Sequence, residues 1–238
     1  MKHTERYQEI QNALLRWFEA GARDLPWRRT RDPYAIWVSE IMLQQTRVRA
    51  VVPFYTRFLQ QFPTPEKLAR ASLDAVLKSW EGLGYYSRAR NLHAAAKLVV
   101  ANFGGRLPRT AEELRTLPGI GRYTAGAIAS IAFGRREPLV DGNVSRVLCR
   151  LFRLRGNPGK PPLQKTIWSL AADLLPPRKV GRFNQALMEL GSEVCVPRHP
   201  RCADCPVNRL CAARKHGEQD RLPMRAAKKR LPSYTVAV

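Results

Sequence analysis

Apolar residues recur at helical spacing along nearly the whole chain, and the polar residues between them supply helix starts and stops in register with that period. Thr64-Pro65-Glu66 has an N-cap followed by proline at the first helical position, predicting a helix that runs toward Lys78. Thr110-Ala-Glu-Glu113 has capping-box spacing ahead of Leu114. Gly104 and Gly134 stand where glycines end helices. Strand-like alternation is confined to Ser233–Val238, and no internal repeat is visible. The expected fold class is therefore all-α. Two stretches depart from it: residues 155–162 read as a rigid basic loop, and residues 221–232 as a basic linker with prolines near both ends. A strand directly after such a linker predicts the opening of a second, β-containing domain that this chain lacks.

Length and charge narrow the partners. A chain of 238 residues with 45% hydrophobic and 25% charged residues can bury a full core without disulfides. Its 41 Lys and Arg against 19 Asp and Glu give a net charge of +22, which self-repels unless a polyanion is a regular partner. Nucleic acid is the leading candidate, with acidic membrane surface behind it. The most apolar run, Ala125 to Phe133, is far too short for a bilayer span, and the polar N-terminus has no signal-peptide core. The expected location is the cytoplasm, where disulfides are uncommon.

Five cysteines then need another explanation. Cys195, Cys202, Cys205 and Cys211 fall within one short, basic, proline-containing segment. Four thiolates so placed suit either Zn²⁺ or a [4Fe–4S] cluster, and spacing alone does not separate the two. Cys149, in the apolar run Val147–Leu151, reads as a small core residue.

Three further features carry candidate chemistry. In Leu117-Pro-Gly-Ile-Gly121, Gly119 and Gly121 form a tight hairpin between helices. The following helix, from Arg122, would present free N–H groups to phosphate, a contact that positions a protein on DNA without reading sequence. Glu40 sits in the apolar stretch Trp37–Leu43, where burial would raise its pKa. Asp141 lies in Val140-Asp-Gly-Asn-Val144 and reads first as the N-cap of the helix running on from Gly142. A partly protonated Glu beside an ionised Asp suits cleavage of a glycosidic bond. Gln44 and Gln45 follow Glu40 by about one turn, and Gly82-Leu-Gly-Tyr-Tyr-Ser87 is an aromatic loop. An amide and an aromatic ring from these segments could wedge into a base stack.

Together these motifs resemble the helix-hairpin-helix DNA glycosylases that carry an iron–sulfur loop, and within them the adenine DNA glycosylases of the MutY family. The resemblance spans roughly residues 8–225 and rests on Trp37-Val-Ser-Glu-Ile-Met-Leu-Gln-Gln-Thr46, Gly82-Leu-Gly-Tyr-Tyr86, Leu117–Gly121, Asp141-Gly-Asn-Val144, Phe183-Asn-Gln-Ala186 and the four cysteines. It implies a six-helix subdomain over 28–136, an iron–sulfur subdomain from 1–27 and 137–225, a cleft between them, and residues 226–238 as linker and first strand of a missing domain. It implies that Glu40 protonates the adenine ring and later serves as base toward water, and that Asp141 stabilises the oxocarbenium-like sugar, with Tyr123 and Asn143 in support. Trp27, Arg28, Gln185 and Met188 match positions lining the adenine pocket, and Gln45 and Tyr85 match wedge residues. The cysteines become [4Fe–4S] ligands, in a basic DNA-binding loop that includes Arg198 and Arg201.

The implied substrate is double-stranded DNA with adenine opposite 8-oxoguanine or guanine, acted on by a monomer in the bacterial cytosol. In that family a Nudix-like domain after the linker recognises 8-oxoguanine. Its absence here implies retained adenine excision with weakened discrimination for the oxidised base. Endonuclease III-type enzymes carry a lysine where this chain has Tyr123, so a Schiff-base lyase route is disfavoured; Ser145 likewise stands where some adenine glycosylases carry a lysine. Thymine/G-mismatch glycosylases and a non-enzymatic iron–sulfur DNA-binding protein are the remaining alternatives.

Overall fold

A computed structural model describes residues 3–224, and the strand expected at 233–238 lies outside them, as does most of the expected linker. Every element in the described chain is helical, so the all-α expectation holds there. The first four helices are α1 (His3–Gly21), α2 (Pro33–Leu43), α3 (Val48–Gln61) and α4 (Pro65–Arg70). They are followed by α5 (Leu73–Ser79), α6 (Ser87–Phe103), α7 (Ala111–Leu114) and α8 (Arg122–Ile131). The C-terminal part holds α9 (Gly142–Leu151), α10 (Pro161–Asp173), α11 (Val180–Glu193) and α12 (Ala212–Lys215). No helix among the described residues is long and apolar enough to cross a membrane.

The local signals act as their chemistry requires. Thr64 accepts from the Lys67 N–H and Thr110 from the Glu113 N–H, each closing the first turn of its helix. Gly104 and Gly134 adopt φ of +58° and +64°, the left-handed conformation that terminates a helix cheaply only at glycine. The single helix expected from Thr64 toward Lys78 is instead two. Ala71 turns extended, and Ser72 caps a new helix by accepting from the Ala75 N–H. The buried ring of His93 bonds the Ala71 carbonyl at 3.0 Å, satisfying the group that the break frees. The loop at 155–162 is likewise shorter than expected, because Pro161 and Pro162 occupy the first turn of α10.

Two apolar clusters organise these helices. One gathers Trp37, Phe58, Trp80 and Leu92 from the segment between Leu25 and Ala129. The other packs Ile10 and Leu14 of α1 against Leu148 of α9 and Phe183 of α11. Helix α8 lies between them, giving Ala125, Ile128 and Ala129 to the first and Ala127 to the second. Its small residues let neighbouring backbones approach closely. At Gly181 of α11, an added Cβ would lie 2.5 Å from the Ser130 carbonyl oxygen and 2.8 Å from the Ile131 Cα.

That approach is backbone against backbone, so a methyl group cannot be accommodated by a rotamer change. Gly181→Ala is expected to destabilise the protein by about 1–3 kcal/mol, the cost of overpacking a close contact. Urea unfolding should show a lower midpoint with an unchanged slope.

Candidate active site

Helix α2 is buried along Tyr34–Met42, and Glu40 is the one acid in that run, with 4% of its surface exposed. Its floor position follows from Asp32 and Pro33, which start the helix, and from the apolar residues that bury it on all sides. Tyr123, in the first turn of α8, donates its hydroxyl to Glu40 Oε2 at 2.8 Å. Asp141 caps α9, accepting from the Val144 N–H at 2.7 Å and from Asn143 Nδ2 at 3.1 Å. Glu40, Tyr123, Asp141 and Asn143 all line one cleft, together with Trp27, Arg28, Gln185 and Met188. The cleft is open to solvent, and the space around it, counting the open mouth, is about 800 Å³.

The two acids differ in their surroundings. Burial pushes Glu40 up to about 7, against a downward pull from the Tyr123 hydroxyl; the Asp141 charge raises it further and Arg28 lowers it. Burial also raises Asp141 above its ordinary value, rather than simply holding it ionised as the sequence suggests. Asp141, however, has the Val144 and Asn143 donors and the Arg146 charge pulling it back toward the carboxylate form. Burial and both neighbouring carboxylates push Tyr123 well above its usual value, so it remains a neutral hydrogen-bond donor.

One residue of the cleft and one behind it are not signalled by the sequence motifs. Glu189 is 2% exposed and bonded by Arg23 and Arg28, with Arg28 Nη2 at 2.9 Å from its Oε2. Burial alone would raise its pKa, but the two guanidinium groups outweigh burial and hold it at about 2. The available signal was periodicity, since Gln185, Met188 and Glu189 share one face of α11. Arg146 was also missed. Its Nη2 donates to Asn143 Oδ1 at 2.6 Å and to the Gly191 carbonyl, while its Nε donates to the Cys195 carbonyl at 2.8 Å.

Other singled-out residues lie outside the cleft. Gln44 bonds Thr124 at 3.2 Å. Gln45 is exposed and Tyr85 is 60% exposed, both with positive φ. Gly119, at φ +78°, sits so close to Asn91 that a Cβ would meet it at 2.8 Å. Gly121 starts α8 without any side-chain cap, leaving its first N–H groups facing outward beside exposed Arg122, whose guanidinium stacks on Trp168 at 3.8 Å.

Cys195, Cys202, Cys205 and Cys211 carry free thiols around a separate recess, whose space counting its open mouth is about 310 Å³. No three potential ligands among the described residues converge on a point that would hold a single metal ion. The thiols nevertheless sense one another: burial, then the other cysteines, raise Cys202, and Cys205 is pushed up to about 12. Buried Arg150 donates to the Cys195 sulfur at 3.3 Å and to the Val196 and Pro197 carbonyls. Cys149 is fully buried in the second cluster, as a core residue.

Comparison with known proteins places this geometry. The chain is 51% identical over 222 residues to the human protein named adenine DNA glycosylase, an alignment covering 90% of this chain and 41% of that one. The chain thus spans about two fifths of that relative's length. Among solved structures, a thermostable thymine-DNA glycosylase matches with a TM-score of 0.82 and 32% identity, covering 91% of this chain and 100% of that one. An endonuclease III in a non-covalent complex with DNA matches with a TM-score of 0.75 at 23% identity, covering 91% and 99%, a likeness of fold. Residues 38–173, which contain Glu40, the glycine hairpin and Asp141, match the family of HhH-GPD superfamily base excision DNA repair proteins, and the chain belongs to that superfamily.

Proposed function

We propose that this chain is the core of a monofunctional DNA glycosylase that removes adenine paired with guanine or 8-oxoguanine. The observation that carries the reading is a buried, protonatable Glu40 bonded to Tyr123 in the same cleft as the helix-capping Asp141. The high identity to a protein named adenine DNA glycosylase supports adenine as the base. Glu40 gives its proton to a ring nitrogen of the flipped adenine. The bond from C1′ to the base then breaks, its electron pair leaves with the adenine, and the sugar becomes oxocarbenium-like. Asp141 stabilises that positive charge. Water adds at C1′ and loses its proton to the Glu40 carboxylate, restoring the acid. Asn143 orients Asp141, and Trp27, Arg28, Gln185 and Met188 receive the base. Because Tyr123 is a phenol and not an amine, the site has no lysine there for a Schiff base and strand-cleaving lyase chemistry.

DNA contacts follow from the surface. The free N–H groups after Gly119 and Gly121, with Arg122, bind backbone phosphate. Gln44 supports the α2 end, and Gln45 and Tyr85 enter the duplex to fill the gap behind a flipped base. The segment over 28–136, which holds the seven helices α2–α8 rather than the six expected because α4 and α5 are separate, forms one side, and 3–27 with 137–224 the cluster side, of a monomeric enzyme. The four cysteines fit a [4Fe–4S] cluster better than a lone Zn²⁺. All four line one recess beside buried Arg150, and they supply the Cys₄ donor set of the cluster that the family resemblance implies. When bound, the cluster shapes the loop at 195–211; Arg150 holds that loop's first turn. A second reading, thymine removal, has the thymine-DNA glycosylase likeness in its favour.

Single-turnover assays separate these readings. Duplexes with adenine opposite guanine or 8-oxoguanine should break only after alkali, and a thymine·guanine duplex should remain intact. Cleavage of the thymine duplex alone would establish the second reading. Glu40→Gln should lower adenine excision by at least about 10³-fold while leaving duplex affinity within a few-fold.

Glu40 must start protonated, so the excision rate should fall as pH rises through about 7. It should also fall in acid, as Asp141 becomes protonated somewhat above its ordinary value. Tyr123→Phe removes a bond that favours the Glu40 carboxylate and should move the alkaline limb upward.

The same burial makes a stability prediction. A carboxyl group with a raised folded pKa contributes its full stability below the unfolded value and loses it as pH rises through the folded value of about 7. Glu40→Gln should therefore leave the melting temperature near wild type at pH 5 and raise it at pH 8, by up to roughly 3 kcal/mol of stability. Anaerobically purified protein should be brown and release iron and sulfide in acid, whereas colourless protein holding zinc by metal analysis would instead indicate Zn²⁺.

A further inference from the structure

Among the described residues, Arg88 makes the densest set of polar contacts of any cation outside the cleft. It is the second residue of α6, is 7% exposed, and has no carboxylate partner among those residues. Its Nη1 donates to the carbonyls of Ile41, Met42 and Gln44 at 3.0, 2.8 and 2.6 Å. Its Nη2 donates to Thr46 Oγ1 and to the carbonyls of Leu83 and Gly84, each at 3.1 Å. The first group is the C-terminus of α2, where unpaired carbonyls and the helix dipole favour a cation. In the second, Leu83 and Gly84 belong to the aromatic loop before α6, while Thr46 lies in the loop that follows α2. The guanidinium also stacks at 5.5 Å on both Trp80 and Tyr85.

The two bonded loops share an unusual backbone. Gln45 has φ +57° and Tyr85 has φ +50°, left-handed conformations that side chains other than glycine and asparagine rarely adopt. In each loop the carbonyl immediately before the left-handed residue, of Gln44 or Gly84, is held by Arg88. One buried side chain thus holds the two peptide planes that aim Gln45 and Tyr85 outward. Trp80 Nε1 donates to the same Gly84 carbonyl at 3.2 Å.

We infer that Arg88 is a positioning residue that presets Gln45 and Tyr85 as a single duplex-entering unit, so that neither loop takes its binding conformation without the other. The inference rests on the proposed reading of those two side chains as wedges. Holding both loops in the free protein removes the ordering cost from DNA binding. It also explains why a buried cation is paired with carbonyls rather than with an acid, since only carbonyls report the orientation of a peptide plane.

Amide hydrogen exchange on the free protein tests the clamp without DNA. In Arg88→Lys, exchange at residues 44–47 and 83–86 should rise together by about ten-fold or more. Exchange across the hairpin at 117–122 should stay within roughly two-fold of wild type. A rise in one loop alone, or in neither, would overturn the inference. If Arg88→Lys does not fold, Thr46→Val removes one of the guanidinium's bonds and should raise exchange in both loops by a smaller factor.

The functional half is read by affinity for an adenine·guanine duplex carrying 2-aminopurine beside the adenine, in a Glu40→Gln background that prevents excision. Gln45→Ala and Tyr85→Ala should each weaken binding and the fluorescence rise by about ten-fold while Arg88 is intact, and by less than about two-fold once Arg88→Lys is also present. Undiminished effects in the Arg88→Lys background would mean that Arg88 merely supports the fold. If the parent protein unstacks no adenine duplex, the adenine reading falls, while exchange still decides the clamp.

Discussion

The structure depends on keeping one carboxyl group in a helix that is otherwise apolar and buried. An ionised Glu40 in that position would be costly, and the fold relieves the cost without removing the acid. Tyr123 offers a single hydrogen bond from α8, enough to orient the carboxyl but not enough to hold it ionised at neutral pH. Arg28 is nearby, yet its influence on Glu40 is the smallest of the four acting on that group. Its charge is already taken up by Glu189, which is itself held at about 2 by Arg23 and Arg28 together. Glu189 thus holds Arg28 in an ion pair on the wall of the same cleft as Glu40.

This cleft, where the acids nearly balance Arg23 and Arg28, stands in a chain that is strongly basic as a whole. The chain carries a net charge of +22, and the described cleft concentrates Glu40, Asp141 and Glu189 in one small volume. A polyanion is drawn to the surface by the first property. The second property is suited to a developing sugar cation, which an exposed basic face would repel. Bringing both together requires the acids to be recessed and individually satisfied, and each has named donors. The glycine hairpin at 117–121 is the point where the two regimes meet, because Gly121 starts the helix that carries Tyr123 in its first turn.

Much of this was legible in the sequence, for a physical reason. Caps and glycine terminators are local, so Thr64, Thr110, Asp141, Gly104 and Gly134 could be read without knowledge of packing. The gathering of Glu40, Tyr123 and Asp141 was reached through motif resemblance, and the cleft does bring them together. Charged residues in helices were the blind spot. Arg88, Arg150 and Glu189 look like solvated faces until tertiary contacts bury them, and burial is not a property of spacing. The break at Ala71 does not show in the helical period; its one local sign is Ser72, a second hydroxyl cap just ahead of Leu73.

Helix α9 shows why these buried arginines matter to the architecture. Its N-terminus is the Asp141 cap, which places a carboxylate in the cleft and fixes it to the first turn. One turn on, Arg146 joins Asn143 to the carbonyls of Gly191 and Cys195, and a further turn on, Arg150 bonds the Cys195, Val196 and Pro197 carbonyls. The cysteine-rich segment is thus fastened along the side of the same helix that presents Asp141. A loop rich in cations and proline has little apolar surface with which to fold, so its position must come from bonds to a rigid element. Carbonyl-directed arginines serve that need at α9, as Arg88 does at the end of α2. In both places the protein fixes an exposed segment, on the side proposed to face DNA, by gripping its backbone from beneath and leaving the side chains above free for contact.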